Sequence, residues 1–546
     1  MKFKVNFSRA LVIVPHQDDE LNIMGGFLPL LLEKGVDIRI VYMINGDYKT
    51  PVETRFEEAI AGMAELGITR DKLYFLGYPD VSDESCGKSL YKTKNAILHY
   101  HGNKETYGAQ GIPEYRMQRD GVHSPCSYEG MKADLHDLLL DVKADVIFAI
   151  DFDHHHDHRL CSLCFEQVME EILLDEACSY CPEVYKAFAY STAYEAPKDF
   201  YNINLLSTPK PTKRRVSQAE YAELEHPYYN WSERVRFPVA DAARVIPLRE
   251  NIMYKAARHY KSQLLPITAQ KMVNGDIVAW KRETSYLKKL KGIDVSSGSP
   301  SVLRKFSLFD VKDISNFGQA EAPLEYIDLT WTPDKNDRKK TITYTFKESV
   351  KIKTVKIYQG VNVYSNSLKV SISAANGLDL EQTLTARTAT IEIDATAQLV
   401  TLTFSGNENV AIAVVEFELD EACMEYHKIV VNDNFAGDRY YANGVDKLFL
   451  SCYGNMESLD VAWKIDGHII NENSVIINAD SLNKPKKVSL LACGEIVDEV
   501  VLTKLSSMDR FLRKISWLWD KAMVYAEYKQ LKRAHKDLKR EAVTNN

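Results

Sequence analysis

One stretch limits the possible folds more than any other. An apolar run, Leu11-Val12-Ile13-Val14, passes through Pro15 straight into His16-Gln17-Asp18-Asp19-Glu20. A continuous apolar run, with no alternation, reads as a strand buried on both faces of a parallel sheet. Ligands of such sheets sit beyond the carboxyl ends of the strands, so a site is expected at the turn after Val14. One imidazole and three carboxylates stand there. Asp18 and Asp19 are neighbours in an extended turn and point to different sides, so one can bind a metal while the other faces a substrate. A second stretch repeats the pattern. Val146-Ile147-Phe148-Ala149-Ile150 reads as another buried strand and runs into Asp151-Phe152-Asp153-His154-His155-His156-Asp157-His158-Arg159.

His16, Asp19 and one histidine of the second loop would offer two nitrogens and one oxygen. Three protein ligands plus a water is the pattern of a catalytic zinc site, and metal-bound water loses a proton near neutral pH. A histidine-rich run can also hold metal adventitiously on a surface loop. Two histidines and an aspartate accept other divalent ions as well.

Pro15-His16-Gln17-Asp18-Asp19-Glu20 after the first strand, with His155-His156-Asp157-His158-Arg159 after a later one, resembles the PIG-L (LmbE-like) zinc-dependent deacetylases. Those enzymes remove acetyl groups from N-acetylglucosamine-containing compounds. The resemblance implies one catalytic Zn2+ on His16, Asp19 and His158, and Asp18 as the general base. It implies His155 as the group that stabilises the oxyanion and Asp157 as the residue that orients His155. Gln17 stands where many members have proline, at a position that is not a ligand. Arg55 resembles the arginine that members place beside the sugar hydroxyls, where a rigid fork suits paired oxygens; an ion pair with Glu57 or Glu58 is the alternative. Asp80 closes a strand, either lining the pocket or serving the turn after Pro79. His154 and His156 take no role from the family.

A chain of 546 residues exceeds a single hydrophobic core and predicts two to four domains. The net charge of −8 argues against nucleic acid as a partner. No apolar run approaches a membrane span, and Met1 to Phe7 has no signal-peptide core. The expected location is therefore the cytoplasm, including the inner face of the membrane. Nine scattered cysteines fit a reducing compartment. Cys161-x-x-Cys164 and Cys178-x-x-Cys181 have zinc-site spacing, but the first pair lies in a helical pattern and suits a core.

The expected fold class is α/β, a Rossmann-like, mostly parallel sheet with helices on both faces, followed by two β-sandwich domains and a C-terminal helix. Strand and helix alternate over the first 80 residues: a helix over 21–34, a strand over 37–43, a helix from 53 to 66 and a strand over 73–76. Residues 82–127, rich in Ser, Gly, Tyr and His, form an insertion long enough to be a lid or binding loop. The catalytic domain is expected at 1–292, with a linker at 294–300. Short alternating strands over 300–422 suggest a sandwich similar to galactose-binding-like (discoidin-type) domains. A small immunoglobulin-like unit is expected at 424–504.

The last element, 507–541, is a basic amphipathic helix. Its apolar stripe of Phe511, Leu512, Ile515, Leu518, Trp519, Ala522 and Tyr525 would dock on the chain itself, on a partner, or on an anionic membrane surface. The function that follows is hydrolysis of an N-acetyl group from an N-acetylglucosamine-type amino sugar in a glycan, glycolipid or glycoconjugate. The alternatives are a glycan-binding scaffold that has lost catalysis, and a zinc amidase of another amide.

Overall fold

The computed structural model describes residues 2–80, 90–98, 101–153, 155–189, 204–211, 226–268, 272–314, 324–374, 377–406, 409–419, 423–454 and 461–544, with side chains of the last helix to 533. His154, named from the sequence, lies outside these residues.

The first elements are β1 (Phe3–Val5), β2 (Arg9–Val14), α1 (Asp19–Met24), α2 (Phe27–Glu33), β3 (Asp37–Ile44), α3 (Val52–Glu65) and β4 (Leu73–Tyr78). After them come α4 (Tyr115–Asp120), α5 (Tyr128–Val142), β5 (Val146–Ile150), α6 (His156–Leu174), β6 (Glu183–Ala187), β7 (Val235–Pro238) and β8 (Asp276–Arg282). Seven strands form one sheet in the order β4-β3-β2-β5-β6-β8-β7. The first five run parallel, and β8 and β7 add antiparallel to the edge. From β2 the chain winds outward to β3 and β4, then returns to place β5 on the other flank of β2. The switch point lies between β2 and β5, where open α/β sheets leave a crevice. Both sequence motifs follow these two strands.

The single helix expected over 21–34 is two helices, α1 and α2. The break is Gly25-Gly26. Gly25 has a φ of 44°, which favours glycine. A Cβ on Gly26 would stand 2.6 Å from the Ala243 side chain, so the chain can pass there only without one.

β9 (Leu290–Val295) spans both the boundary expected at 292 and the start of the expected linker. It pairs with Thr341–Gln359 in a six-stranded antiparallel sheet that also contains Leu368–Ala374, Asp379–Leu384, Thr388–Ser405 and Ile412–Glu418. Thr341–Gln359 is longer than the short strands expected in this region. It runs through a bulge between Thr345 and Val350, which bends a strand without ending it. The next unit has two five-stranded sheets around Ile429, Leu450, Trp463, Leu490 and Val500. Its first sheet takes β1 as an edge, Phe3 opposite Tyr426. The N-terminal strand Phe3–Val5 therefore belongs to a different sheet from β2, which follows it. Among the described residues no helix is long and apolar enough to cross a membrane.

Candidate active site

β2 and β5 run side by side with Ala10 opposite Val146 and Ile13 opposite Ala149. Their carboxyl ends therefore bring His16–Asp19 against Asp151–His158. The second histidine segment is not all loop: α6 begins at His156, so His158 sits in its first turn.

Asp19 lies between two rings. Its Oδ2 is 3.3 Å from His16 Nδ1 and 3.3 Å from His158 Nε2. Each ring is held from its far side by another carboxylate. His16 Nε2 is 3.0 Å from Asp157 Oδ2, and His158 Nδ1 is 2.8 Å from Asp153 Oδ2. A hydrogen bond to the far nitrogen sets the tautomer and aims the near lone pair, the arrangement usual behind metal-ligating histidines. Asp80 joins the group, with ligand atoms of His16, Asp80 and Asp157 within 4.8 Å of one another; His16, His155 and His158 form a second such group. So many buried carboxylates in one place call for positive charge. Burial opposes a charge on His158, yet the Asp153 and Asp19 carboxylates outweigh it and lift its pKa to about 10. The two nitrogens, the shared oxygen and the carboxylate-backed rings fit a divalent ion.

Asp18 stands beside this centre. Its φ of 131° is outside the range that side chains favour, and backbone strain of this kind gathers at functional sites. Burial, then the neighbouring Asp19 charge, raises its carboxyl to about 7, near the value that suits a proton carrier at neutral pH. Its backbone N–H donates to Glu20 Oε2 at 2.9 Å, and the Tyr260 hydroxyl donates to the same carboxyl group.

Arg55, on α3, is buried and does not pair with Glu57 or Glu58. Its Nε donates to Gln17 Oε1 at 3.1 Å, and its Nη2 lies 3.8 Å from Asp18 Oδ1. Its Nη1 is a buried donor with no hydrogen-bond partner among the described residues. Gln17 is thus the bracket for Arg55, a task proline could not perform.

His155 is the most open of the site histidines whose side chains are described, with a quarter of its side chain exposed. Its Nδ1 accepts from the Asp157 backbone N–H at 3.2 Å, which leaves the proton on Nε2. Burial, and then the nearby His158, hold its pKa well below the usual value, so it is a neutral N–H donor. Asp157 was expected to orient His155. It does so through its backbone N–H, and the carboxylate serves His16.

Residues 11–169 match the family described as PIG-L: GlcNAc-PI de-N-acetylase. These residues are a PIG-L domain. Among solved structures, the chain is similar to the N,N'-diacetylchitobiose deacetylase from Pyrococcus horikoshii at 18% identity, covering 34% of this chain and 62% of that one, with a TM-score of 0.22. It is similar to the A40926 pseudoaglycone deacetylase at 13% identity over 50% of this chain and 96% of that one, TM-score 0.28. A family 32 carbohydrate-binding module from Clostridium perfringens, solved with galactose, matches at 12% identity over 24% of this chain and 95% of that one, TM-score 0.18. A search of curated protein sequences found no match.

The sequence reading missed Asp153, which supports His158 within the PIG-L domain. The signal was present as alternating acids, Asp151-Phe152-Asp153, just after a buried strand. It also missed Asp47 and its partners. Asp47 Oδ1 accepts from the Asp80 N–H at 3.1 Å; Oδ2 lies 3.2 Å from His101 Nε2 and accepts from the Tyr107 hydroxyl. His101 and Tyr107 belong to the 82–127 insertion, which thus reaches the edge of the site. Cys161 and Cys164 are buried in α6, and no four-cysteine cluster is present among the described residues.

Proposed function

We propose that the PIG-L domain hydrolyses the N-acetyl group of an N-acetylglucosamine-type sugar in a glycan, glycolipid or glycoconjugate. The observation that carries this reading is the meeting of three different groups around one carboxylate-bridged histidine pair. They are a strained buried acid (Asp18), a spare guanidinium donor (Arg55) and a partly open neutral imidazole (His155).

His16, Asp19 and His158 would hold Zn2+, which when bound supplies a Lewis acid to polarise the acetyl oxygen and makes water more acidic. Asp18 takes a proton from the water that attacks the amide carbon. As the carbonyl oxygen gains charge, His155 Nε2–H donates to it, a fixed dipole aimed where charge develops. The amide C–N bond then breaks, and Asp18 passes its proton to the leaving nitrogen. The products are acetate and a free amine. Arg55 holds Asp18 on one side and offers Nη1 to a sugar oxygen, and Asp80 lines the pocket beside His16 and Asp157. The catalytic unit is taken as 1–292, less the two strands (β1 and β9) that join other sheets. The β regions at 300–422 and 424–504 would hold a longer glycan near the pocket and raise its local concentration.

The test is acetate release from a panel of N-acetylglucosamine glycans and glycolipids by zinc-loaded protein. Release that vanishes in Asp18→Ala while bound zinc is retained supports the reading. No release from any member by fully zinc-loaded protein sinks it in favour of a glycan-binding scaffold. Release from other acetylated amides alone moves the assignment to a different amidase.

A further inference from the structure

The C-terminal helix, Ser507–Thr544, attaches to the body by the face that its pattern does not favour. Asp520 accepts from the Leu248 backbone N–H at 2.9 Å and from Arg249 Nη1 at 2.8 Å. Two turns further on the same side, Glu527 accepts from the Tyr254 hydroxyl and from Arg258 Nε, both at 3.2 Å. Trp517 and Val524 lie against the main core on this side, and Arg513 stacks 4.6 Å over the Tyr441 ring. Residues 513, 517, 520, 524 and 527 fall on one side of a 3.6-residue helix.

The apolar stripe is on the other side. Phe511, Leu512, Ile515, Leu518, Trp519 and Tyr525 are between 48% and 59% or, for Trp519, 61% exposed. The charges flanking them are one-sided. Arg510, Lys514, Lys521, Lys529, Lys532 and Arg533 are exposed. Of the three acids between 507 and 533, Asp520 and Glu527 are spent on the anchors. Asp509 is the third, and it accepts from the Ser506 hydroxyl at 2.6 Å.

We propose that this face is a docking surface for an anionic lipid bilayer. Large apolar side chains bordered by lysine and arginine, on a helix that cannot span, are the requirements for lying in the interface plane. The acids face the protein and the bases remain outside, so the exposed face complements the negative surface potential of a bilayer. A second copy of this helix would bring the same bases against each other, an unfavourable pairing for like charges. The proposal does not depend on the deacetylase reading.

The test is sedimentation of the full chain with vesicles of phosphatidylcholine, with and without phosphatidylglycerol. Binding is expected only with the anionic lipid and should fall as salt rises. Leu518→Ser/Trp519→Ser and Lys514→Glu/Lys521→Glu should each weaken it by about ten-fold or more, with circular dichroism and thermal melting unchanged. Because the second pair leaves the apolar stripe intact, it remains informative should the first pair misfold. Absence of binding to either vesicle, or binding that neither pair weakens, overturns the proposal. A concentration-dependent dimer that Trp519→Ser breaks, without vesicle binding, assigns the face to a second copy instead.

Discussion

Asp18 and Asp153 stand at different removes from the proposed metal centre, and substitutions separate their roles. Asp18→Asn keeps shape but cannot carry a proton. Acetate release should fall by about 10²–10⁴-fold in kcat, with zinc content unchanged by metal analysis. Asp153→Ala removes the acceptor at 2.8 Å from His158 Nδ1 and frees that ring to turn. Zinc affinity should drop by about 10–100-fold in a chelator competition, and Asp153→Glu should recover part of it. The role proposed for Asp18 was legible because the acid sits inside the motif, beside a proposed ligand. That of Asp153 was not, because it reaches the centre only through another side chain. Asp157 shows the same limit from the other side: the motif implied its role toward His155, but only the fold shows its carboxylate turned to His16.

At the scale of elements, the β2–β3 edge has a charge cluster with a defined pH dependence. Asp37, which opens β3, accepts from Lys72 Nζ at 2.7 Å, Arg9 Nε at 2.8 Å and Arg39 Nε at 3.1 Å. Partial burial works against its charge, but Lys72, Arg9 and Arg39 outweigh that and hold its carboxyl at about 2, below the ordinary 3.8. A carboxyl depressed on folding stabilises above its unfolded value and loses that contribution as pH falls through the folded one. The gap in urea midpoint between native protein and Asp37→Asn should be full at pH 5 and shrink as pH falls from 4 toward 2. Gly26→Leu tests the break between α1 and α2. Its side chain would enter space held by Ala243 and Val239, at a cost of about 1–3 kcal/mol in denaturant unfolding. Apolar spacing showed that a helix was due over 21–34. It did not show the split, since the obstacle lies more than two hundred residues away in sequence.

Across the whole molecule, a buried ion cluster ties the PIG-L domain to the β region. Arg282, at the end of β8, donates to Glu166 of α6 at 3.1 Å and to Glu416 of the strand Ile412–Glu418 at 2.7 Å. Lys186 extends the cluster to Asp151, two residues before Asp153, at 3.4 Å. Arg282→Met would leave two buried carboxylates short of their cation. It should destabilise the protein by roughly 3–5 kcal/mol, read as a loss of denaturant midpoint by both tryptophan fluorescence and circular dichroism. Such a cluster cannot be foreseen from the sequence, where Glu166, Arg282 and Glu416 are isolated charges. The sequence by itself determined the local facts: buried runs at 11–14 and 146–150, helical and alternating periods, and the donor types gathered at each strand end. These are legible because burial and period leave their mark on neighbouring residues. The tertiary structure decided what each buried face meets. It set β2 against β5, gave β1 to a sheet near the other end of the chain, and turned the apolar stripe of the last helix outward. A period records that a face prefers an apolar contact, not which surface supplies it. In the last helix, Asp520 and Glu527 oriented the element through charged contacts with residues 248–258, and so decided which face was left open.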